Sequence, residues 1–180
     1  MPDRTLIERL DALSRVPFEG EAFRHMGPGY GPLDAEGARI HGGRWNPPNS
    51  FPVLYFALGR DTAGAEFYRV ATRQGMPPEN LLPRHLHRYR VRLAGVANLS
   101  GSAALEHVGL SLADVRADDL SRCQAVGDAA HYLGFEAVQS PSATGAGEVL
   151  AVFFDRLGPG SAVEPLDFEV WDVLPPAPGA

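Results

Sequence analysis

Residues 53–73 read VLYFALGRDTAGAEFYRVATR, a strand signal that runs directly into a helix signal. Val53 to Leu58 is apolar at successive positions, the pattern of a strand buried on both faces. Asp61 and Thr62 then offer caps for a helix over Thr62 to Arg73, which stops before Pro77 and Pro78. Upstream, Leu6, Ile7, Leu10 and Leu13 recur at helical spacing behind Asp3, inside an N-terminal helical segment placed at residues 1–20. Ala22 to His25 follow as a short strand, and then come two loops, Gly27 to Pro32 and HGGRWNPPNS at 41–50. Downstream, RHLHRYRVR (84–92) alternates, with Arg88, Arg90 and Arg92 on one face and Tyr89, Val91 and Leu93 on the other. A short helical piece at 103–108 and a helix at 117–133, closed by Gly134, lead to strands at 135–139, 149–154 and 168–173. The mixture lacks the strict alternation of a doubly wound fold. It predicts an α+β class: one domain over 21–174, mixed or antiparallel sheets with flanking helices, and a disordered proline-rich tail at 175–180.

Composition narrows the function classes. The chain has 180 residues, enough for one well-formed core, with 44% hydrophobic and 21% charged residues, which excludes a disordered protein. A single cysteine, Cys123, excludes an internal disulfide and fits a reducing cytosol. Charges interrupt the apolar positions of the N-terminus, and no apolar run reaches the length of about 20 residues that a bilayer requires. The expectation is a cytoplasmic protein without membrane contact. The net charge of −6 carries no basic footprint, which argues against direct nucleic-acid binding; the basic run at 84–92 reads as a half-exposed strand.

Several residues stand out as carriers of chemistry. On the 62–73 helix Ala63, Phe67, Val70 and Ala71 form the apolar stripe, and Glu66 falls at its edge. A carboxylate there faces a cleft and needs a partner, or else it forms a surface i,i+3 pair with Arg69; the pattern alone leaves both open. Arg44 sits in Gly42-Gly43-Arg44-Trp45-Asn46, where glycines permit close backbone approach and a guanidinium fork suits phosphate or carboxylate. Trp45 offers a flat face for a ring, or else simply stacks under the arginine. Arg24 is a second clamp candidate. Tyr55, in a strand apolar on both faces, needs a partner for its hydroxyl. Ser140 and Ser142 flank Pro141 in a loop. His85 and His87 share a strand face but lack a third metal ligand nearby, no Gly-x-Ser-x-Gly elbow is present, and Cys123 reads as a packing residue.

Taken in order, FRH (23–25), GGRWNPP (42–48), VLYFA (53–57), Glu66 and PSA (141–143) resemble the RES domain family, named for an arginine, a glutamate and a serine. The resemblance runs from about residue 22 to 155 and maps these to Arg44, Glu66 and Ser142, with Ser140 the alternative serine. Tyr55 lies eleven residues after Arg44 and Glu66 eleven after Tyr55, in agreement with the family's arrangement, and Arg24 matches a further family arginine.

The resemblance implies a fold similar to the ADP-ribosyltransferases and an enzyme that degrades NAD, which is substrate rather than cofactor, without a metal. It implies Arg44, Tyr55 and Glu66 as catalytic residues, with Arg24, Trp45, Asn46 and Ser142 holding NAD. It also implies the toxin half of a toxin–antitoxin pair, blocked at its active site by an Xre-type helix-turn-helix antitoxin. A homodimer within a larger complex is one assembly it allows. Water, phosphate or a protein side chain remain open as acceptors. Gly64 and Ala65 before Glu66 supply no second acidic residue, which favours a small acceptor over a protein-modifying transferase. A non-catalytic nucleotide-binding module is the remaining alternative.

Overall fold

A computed structural model describes residues 2–179; Met1 and Ala180, the outer ends of the expected N-terminal segment and tail, lie outside the described residues. Helix α1 (Arg4–Asp11) starts where the Asp3 carboxylate accepts the Leu6 amide at 3.0 Å. Strand β1 (Val16–Met26) follows, so the helical segment expected over 1–20 ends at Asp11 and its last residues belong to a strand. The short strand expected at Ala22 to His25 is the second half of β1, and the first half contains Pro17. The proline sits where the pairing of β1 with β3 slips between Val16 and Phe18, a bulge that needs no amide from it.

Strand β2 (Val53–Ala57) and helix α3 (Arg60–Gln74) fall where the sequence assigns a strand and a helix, behind the short helix α2 (Glu36–His41). Helix α3 begins at Arg60 behind Gly59 with no side-chain cap, so Asp61 and Thr62 lie within its first turn instead of capping it. Strand β3 (Arg84–Asn98) is longer than the basic run and keeps its alternation, with Tyr89, Val91 and Leu93 buried and Arg90 and Arg92 exposed. The helix expected at 117–133 runs from Ser121 to Tyr132, and a short helix not expected from the sequence precedes it. Helix α4 (Ser102–His107) is followed by α5 (Leu112–Arg116), started by a reciprocal Ser111–Asp114 capping box, and by α6 (Ser121–Tyr132). Strands β4 (Ala137–Pro141), β5 (Glu148–Phe153) and β6 (Ala162–Trp171) complete the domain, β6 beginning six residues before the expected start at Phe168.

The sheet order is β1-β2-β5-β4-β3-β6, and β1 also pairs with β3, so five strands close a ring. Among the described residues β3–β4 is parallel and every other pairing antiparallel. Ala22, Leu54, Phe56, Tyr89, Val91 and Val152 form one core, built mostly from the strands. In a second core, Val53, Ala97, Val138 and Phe153 pack under the helices through Leu10, Val115, Val126 and Ala129. This is why β2 is apolar on both faces: Leu54 and Phe56 belong to one core and Val53 to the other.

Two contacts carry the geometry toward the site. In α6, a Cβ at Gly127 would stand 1.9 Å from the Trp45 carbonyl oxygen, so glycine lets the 42–46 loop lie against the helix. The tail expected to be disordered from 175 instead docks on α3: Pro175 is buried and its carbonyl accepts the Tyr68 hydroxyl at 2.7 Å.

Glu136 ties the ring shut. It is 5% exposed; Oε2 accepts the Ala94 and Gly95 amides at 2.6 and 3.1 Å, and Oε1 the Gly158 amide and Ser161 hydroxyl at 2.7 Å each. Burial pushes its carboxyl up, but the four donors outweigh that and hold it below the usual carboxylate value. Its folded-state pKa is depressed, so its stabilisation is present above the unfolded value of about 4.3 and lost as pH falls through the lower folded value. Glu136→Gln should cost about 1–3 kcal/mol at pH 7. In urea unfolding at pH 7 and pH 3.5, the variant should lose less stability on acidification than wild type; equal losses would show that Glu136 is not the linked group.

Candidate active site

A cavity of about 360 Å³ opens between the end of β1, strand β2, helix α3 and the 42–46 loop. Its carboxylate is Glu66, one turn beyond the buried Ala63 on α3 and half-buried itself. Its Oε1 accepts the Ser142 hydroxyl at 2.6 Å. Ser142 is fully buried in the turn between β4 and β5, which closes through its amide to the Gly147 carbonyl at 2.9 Å and the Gly145 amide to its own carbonyl at 3.1 Å. Ser140, equally buried, reaches only the Pro141 carbonyl at 3.3 Å, so of the two serines it is Ser142 that meets the glutamate. The surface pair between Glu66 and Arg69 is not the arrangement found; Arg69 turns toward the exposed Asp118 at 3.8 Å.

The loop that carries Arg44 is built by Tyr55. The Tyr55 hydroxyl donates to Asn46 Oδ1 at 2.7 Å and accepts the Trp45 amide at 2.9 Å. Asn46 Nδ2 donates to the Ala38 carbonyl at 2.8 Å, and the Gly43 amide to the Asn46 carbonyl at 3.0 Å. A Cβ at Gly43 would stand 2.5 Å from the Tyr55 hydroxyl, and Gly42, at φ +72°, would place one 2.8 Å from the Pro48 nitrogen. Both glycines are therefore demanded by close approach.

Trp45 and Asn46, expected to hold NAD, are both 0% exposed. Trp45 packs in the core while still counting among the residues that line the cavity, its indole nitrogen without a partner among the described residues. The Asn46 amide knits the loop. Tyr55 lines the cavity with its ring, but its one proton is committed to Asn46, and burial raises its pKa further, so it is no proton donor at neutral pH. Arg44 is the loop side chain directed to the cavity, held by an Nη1 bond to the Ala117 carbonyl at 3.0 Å.

Five arginines line the same cavity: Arg24, Arg44, Arg69, Arg73 and Arg84, against the carboxylate of Glu66. Burial lowers the pKa of Arg24, Arg44 and Arg84, yet a guanidinium remains charged at neutral pH. Arg24 Nη1 is buried without a hydrogen-bond partner among the described residues, a donor aimed at nothing the protein supplies. His25 is neutral: burial, with Arg84 and Arg24 beside it, pushes it down to about 3. Its Nδ1 lies 3.3 Å from Arg84 Nε, which donates to it. Sequence reasoning did not select His25, Arg69, Arg73 or Arg84. Arg69 and Arg73 had a signal, since i+3 and i+7 from Glu66 place them on its helix face. Arg84 and His25 had none, because only the β1–β3 pairing brings them together.

One half-buried carboxylate, a hydroxyl that locks it and a cluster of guanidinium groups suit a ligand with a developing positive centre next to phosphate groups. Comparison with known proteins agrees in kind. The sequence model of the RES domain matches residues 14–172. The chain belongs to the RES domain family. This RES domain is 37% identical over 160 residues to the NAD(+) phosphorylase MbcT of Mycobacterium tuberculosis and of Mycobacterium bovis, covering 88% of this chain and 86% of each relative. Its fold is that of the crystal structure of the M. tuberculosis MbcT–MbcA toxin–antitoxin complex, with a TM-score of 0.88 and 32% identity over 94% of this chain and 93% of that one. Among the described residues no group of three or more His, Cys, Asp or Glu is placed to hold a metal, and no helix is long and apolar enough to cross a membrane.

The Tyr55 tie generates a direct expectation for the RES domain. Tyr55→Phe leaves the Trp45 amide and Asn46 Oδ1 without their partner and should cost about 1–3 kcal/mol. Hydrogen exchange at the Trp45 amide should accelerate with it; unchanged protection would mean that the loop is held by other contacts.

Proposed function

We propose that this RES domain is the toxin of a toxin–antitoxin pair and depletes NAD by phosphorolysis of the nicotinamide–ribose bond. The observation that carries the reading is the Glu66 carboxylate, locked by Ser142, in the one cavity that also gathers five arginines. In that reaction the C1′–N bond breaks with its electron pair going to the pyridinium, so nicotinamide leaves neutral and needs no proton. A general acid is then unnecessary, in keeping with a Tyr55 hydroxyl tied into the loop. The ribose takes on oxocarbenium character, which Glu66 stabilises as a fixed negative charge beside it. Arg24 and Arg44, which both line the cavity, clamp the pyrophosphate.

Charge supports phosphate as the acceptor. A pyrophosphate brings two negative charges, and five guanidinium groups against one carboxylate leave a surplus of cation in the cavity. Inorganic phosphate fits that surplus; water does not need it. An oxygen of phosphate then bonds to C1′, giving ADP-ribose 1-phosphate and nicotinamide. The same cavity is the surface that an antitoxin has to cover to silence the enzyme. An Xre-type helix-turn-helix partner, a homodimer within the larger complex, and a cytoplasmic location beside the NAD pool belong to this reading.

The test is NAD consumption by purified, antitoxin-free protein with and without phosphate. Wild type should consume NAD in a phosphate-dependent way, and Glu66→Gln and Arg44→Ala should each lose on the order of a hundredfold or more. Intact NAD with folded wild-type protein would remove the enzymatic reading and leave a nucleotide-binding module. Label carried from NAD to a macromolecule would make it a protein-modifying transferase.

A further inference from the structure

Glu66 is held by Ser142, and Ser142 is itself held. Its Oγ lies 2.7 Å from the Thr144 hydroxyl and accepts the Thr144 amide at 3.1 Å, while Thr144 Oγ1 accepts the Ala146 amide at 3.1 Å. A hydroxyl has one proton and two lone pairs, which leaves few ways to arrange these atoms. In the 2.6 Å contact Ser142 Oγ is the donor and the Glu66 oxygen the acceptor, so the contact uses the Ser142 proton. The contact between the two hydroxyls must then use the Thr144 proton. The result is a directed chain: Ala146 amide to Thr144 hydroxyl, Thr144 hydroxyl to Ser142 hydroxyl, Ser142 hydroxyl to Glu66 carboxylate. Both lone pairs of Ser142 Oγ are filled by Thr144, through its amide and its hydroxyl, so its proton points one way.

The turn bearing this chain is pressed on the helix that carries Glu66. Gly147, at φ +70°, has no room for a side chain: a Cβ there would stand 2.1 Å from Thr62 Oγ1 on the first turn of α3. The turn therefore cannot drift from the helix without breaking that fit, and the hydroxyl chain spans the remaining distance to the carboxylate.

We propose that Thr144 is a positioning residue for NAD cleavage, its hydroxyl filling the last lone pair of Ser142 so that the serine proton is committed to Glu66. The proposal rests on the reading of Glu66 given above. Hydrogen bonds in series polarise one another, so the donor at the far end strengthens the bond at the carboxylate and confines it to one orientation. Thr144 touches neither the carboxylate nor the substrate, and its contribution is to the chemical step rather than to the binding of NAD.

The experiment compares wild type, Thr144→Val and Thr144→Ser. Valine keeps the shape and the amide and removes only the hydroxyl; serine restores the hydroxyl. Thr144→Val should lower kcat for NAD about tenfold with KM for NAD unchanged, and Thr144→Ser should recover most of the loss. By proton NMR, the Ser142 hydroxyl proton should give a slowly exchanging downfield resonance in wild type and Thr144→Ser that broadens or vanishes in Thr144→Val. Wild-type kcat and an intact resonance in Thr144→Val would overturn the positioning role while leaving the reaction intact, and so would a loss confined to KM. If wild type spares NAD, the role in cleavage falls with that reading, and the resonance pattern then reports the hydrogen-bond chain alone.

Discussion

A single hydrogen bond between two separate parts of the fold determines what this cavity can do. The Ser142 hydroxyl, fully buried, meets the Glu66 carboxylate at 2.6 Å and joins the β4–β5 turn to helix α3. A carboxylate on the edge of an apolar helix face has two ordinary fates: it swings out to water or pairs with the arginine three residues on. The serine forbids both by giving the carboxylate a partner within the protein, which leaves Arg69 to look elsewhere. Everything around that bond is fitted to it. The turn is pressed on α3 at Gly147, the 42–46 loop is stitched by Tyr55 and Asn46, and Gly127 lets the loop lie flat on α6.

The electrostatics follow from the same economy of partners. The chain as a whole carries a net charge of −6, yet its cavity concentrates five guanidinium groups around one carboxylate. Like charges gathered this way repel one another, and some are partly desolvated, a state that folding alone would not favour. The unpartnered Nη1 of Arg24 and the pairing of Arg84 with a neutral His25, which accepts its hydrogen bond but brings no balancing charge, belong to the same pattern. Sites that hold such unfavourable charge are where ligands of opposite charge bind, and phosphate-rich ligands meet the requirement.

Much of this was legible in the sequence, for reasons that can be named. β2 and α3 were readable because burial between two cores makes a strand apolar at successive positions and the helix carries an apolar stripe, although Asp61 and Thr62 do not cap it. Glu66, Arg44, Arg24 and Ser142 were selected, and the structure brings Glu66, Arg44 and Arg24 to one cavity with Ser142 behind the glutamate. Other features depend on contacts distant in sequence. The first half of β1 hid behind Pro17, which a bulge accommodates, and α2 has only six residues and no side-chain cap. The tail looked disordered because proline-rich ends usually are, but the Tyr68 hydroxyl holds Pro175. That Trp45 lies fully buried in the core under the helices, its backbone against Gly127 while it still lines the cavity, depends on a contact with α6 ~80 residues away in sequence. Thr144 looked like one more small residue in a small-residue loop, and only its bond to Ser142 distinguishes it.

The central claim, that a carboxylate and a surplus of arginines together drive phosphate onto the ribose of NAD, is tested most directly by isotope. Wild-type protein is incubated with NAD and phosphate labelled with oxygen-18 at every position, and the sugar product is weighed by mass spectrometry. The account predicts ADP-ribose 1-phosphate that retains all the phosphate's labelled oxygens, because an oxygen of phosphate forms the new bond to C1′. Unlabelled ADP-ribose as the sole product would contradict it, since water would then be the acceptor and the arginine surplus would need another explanation.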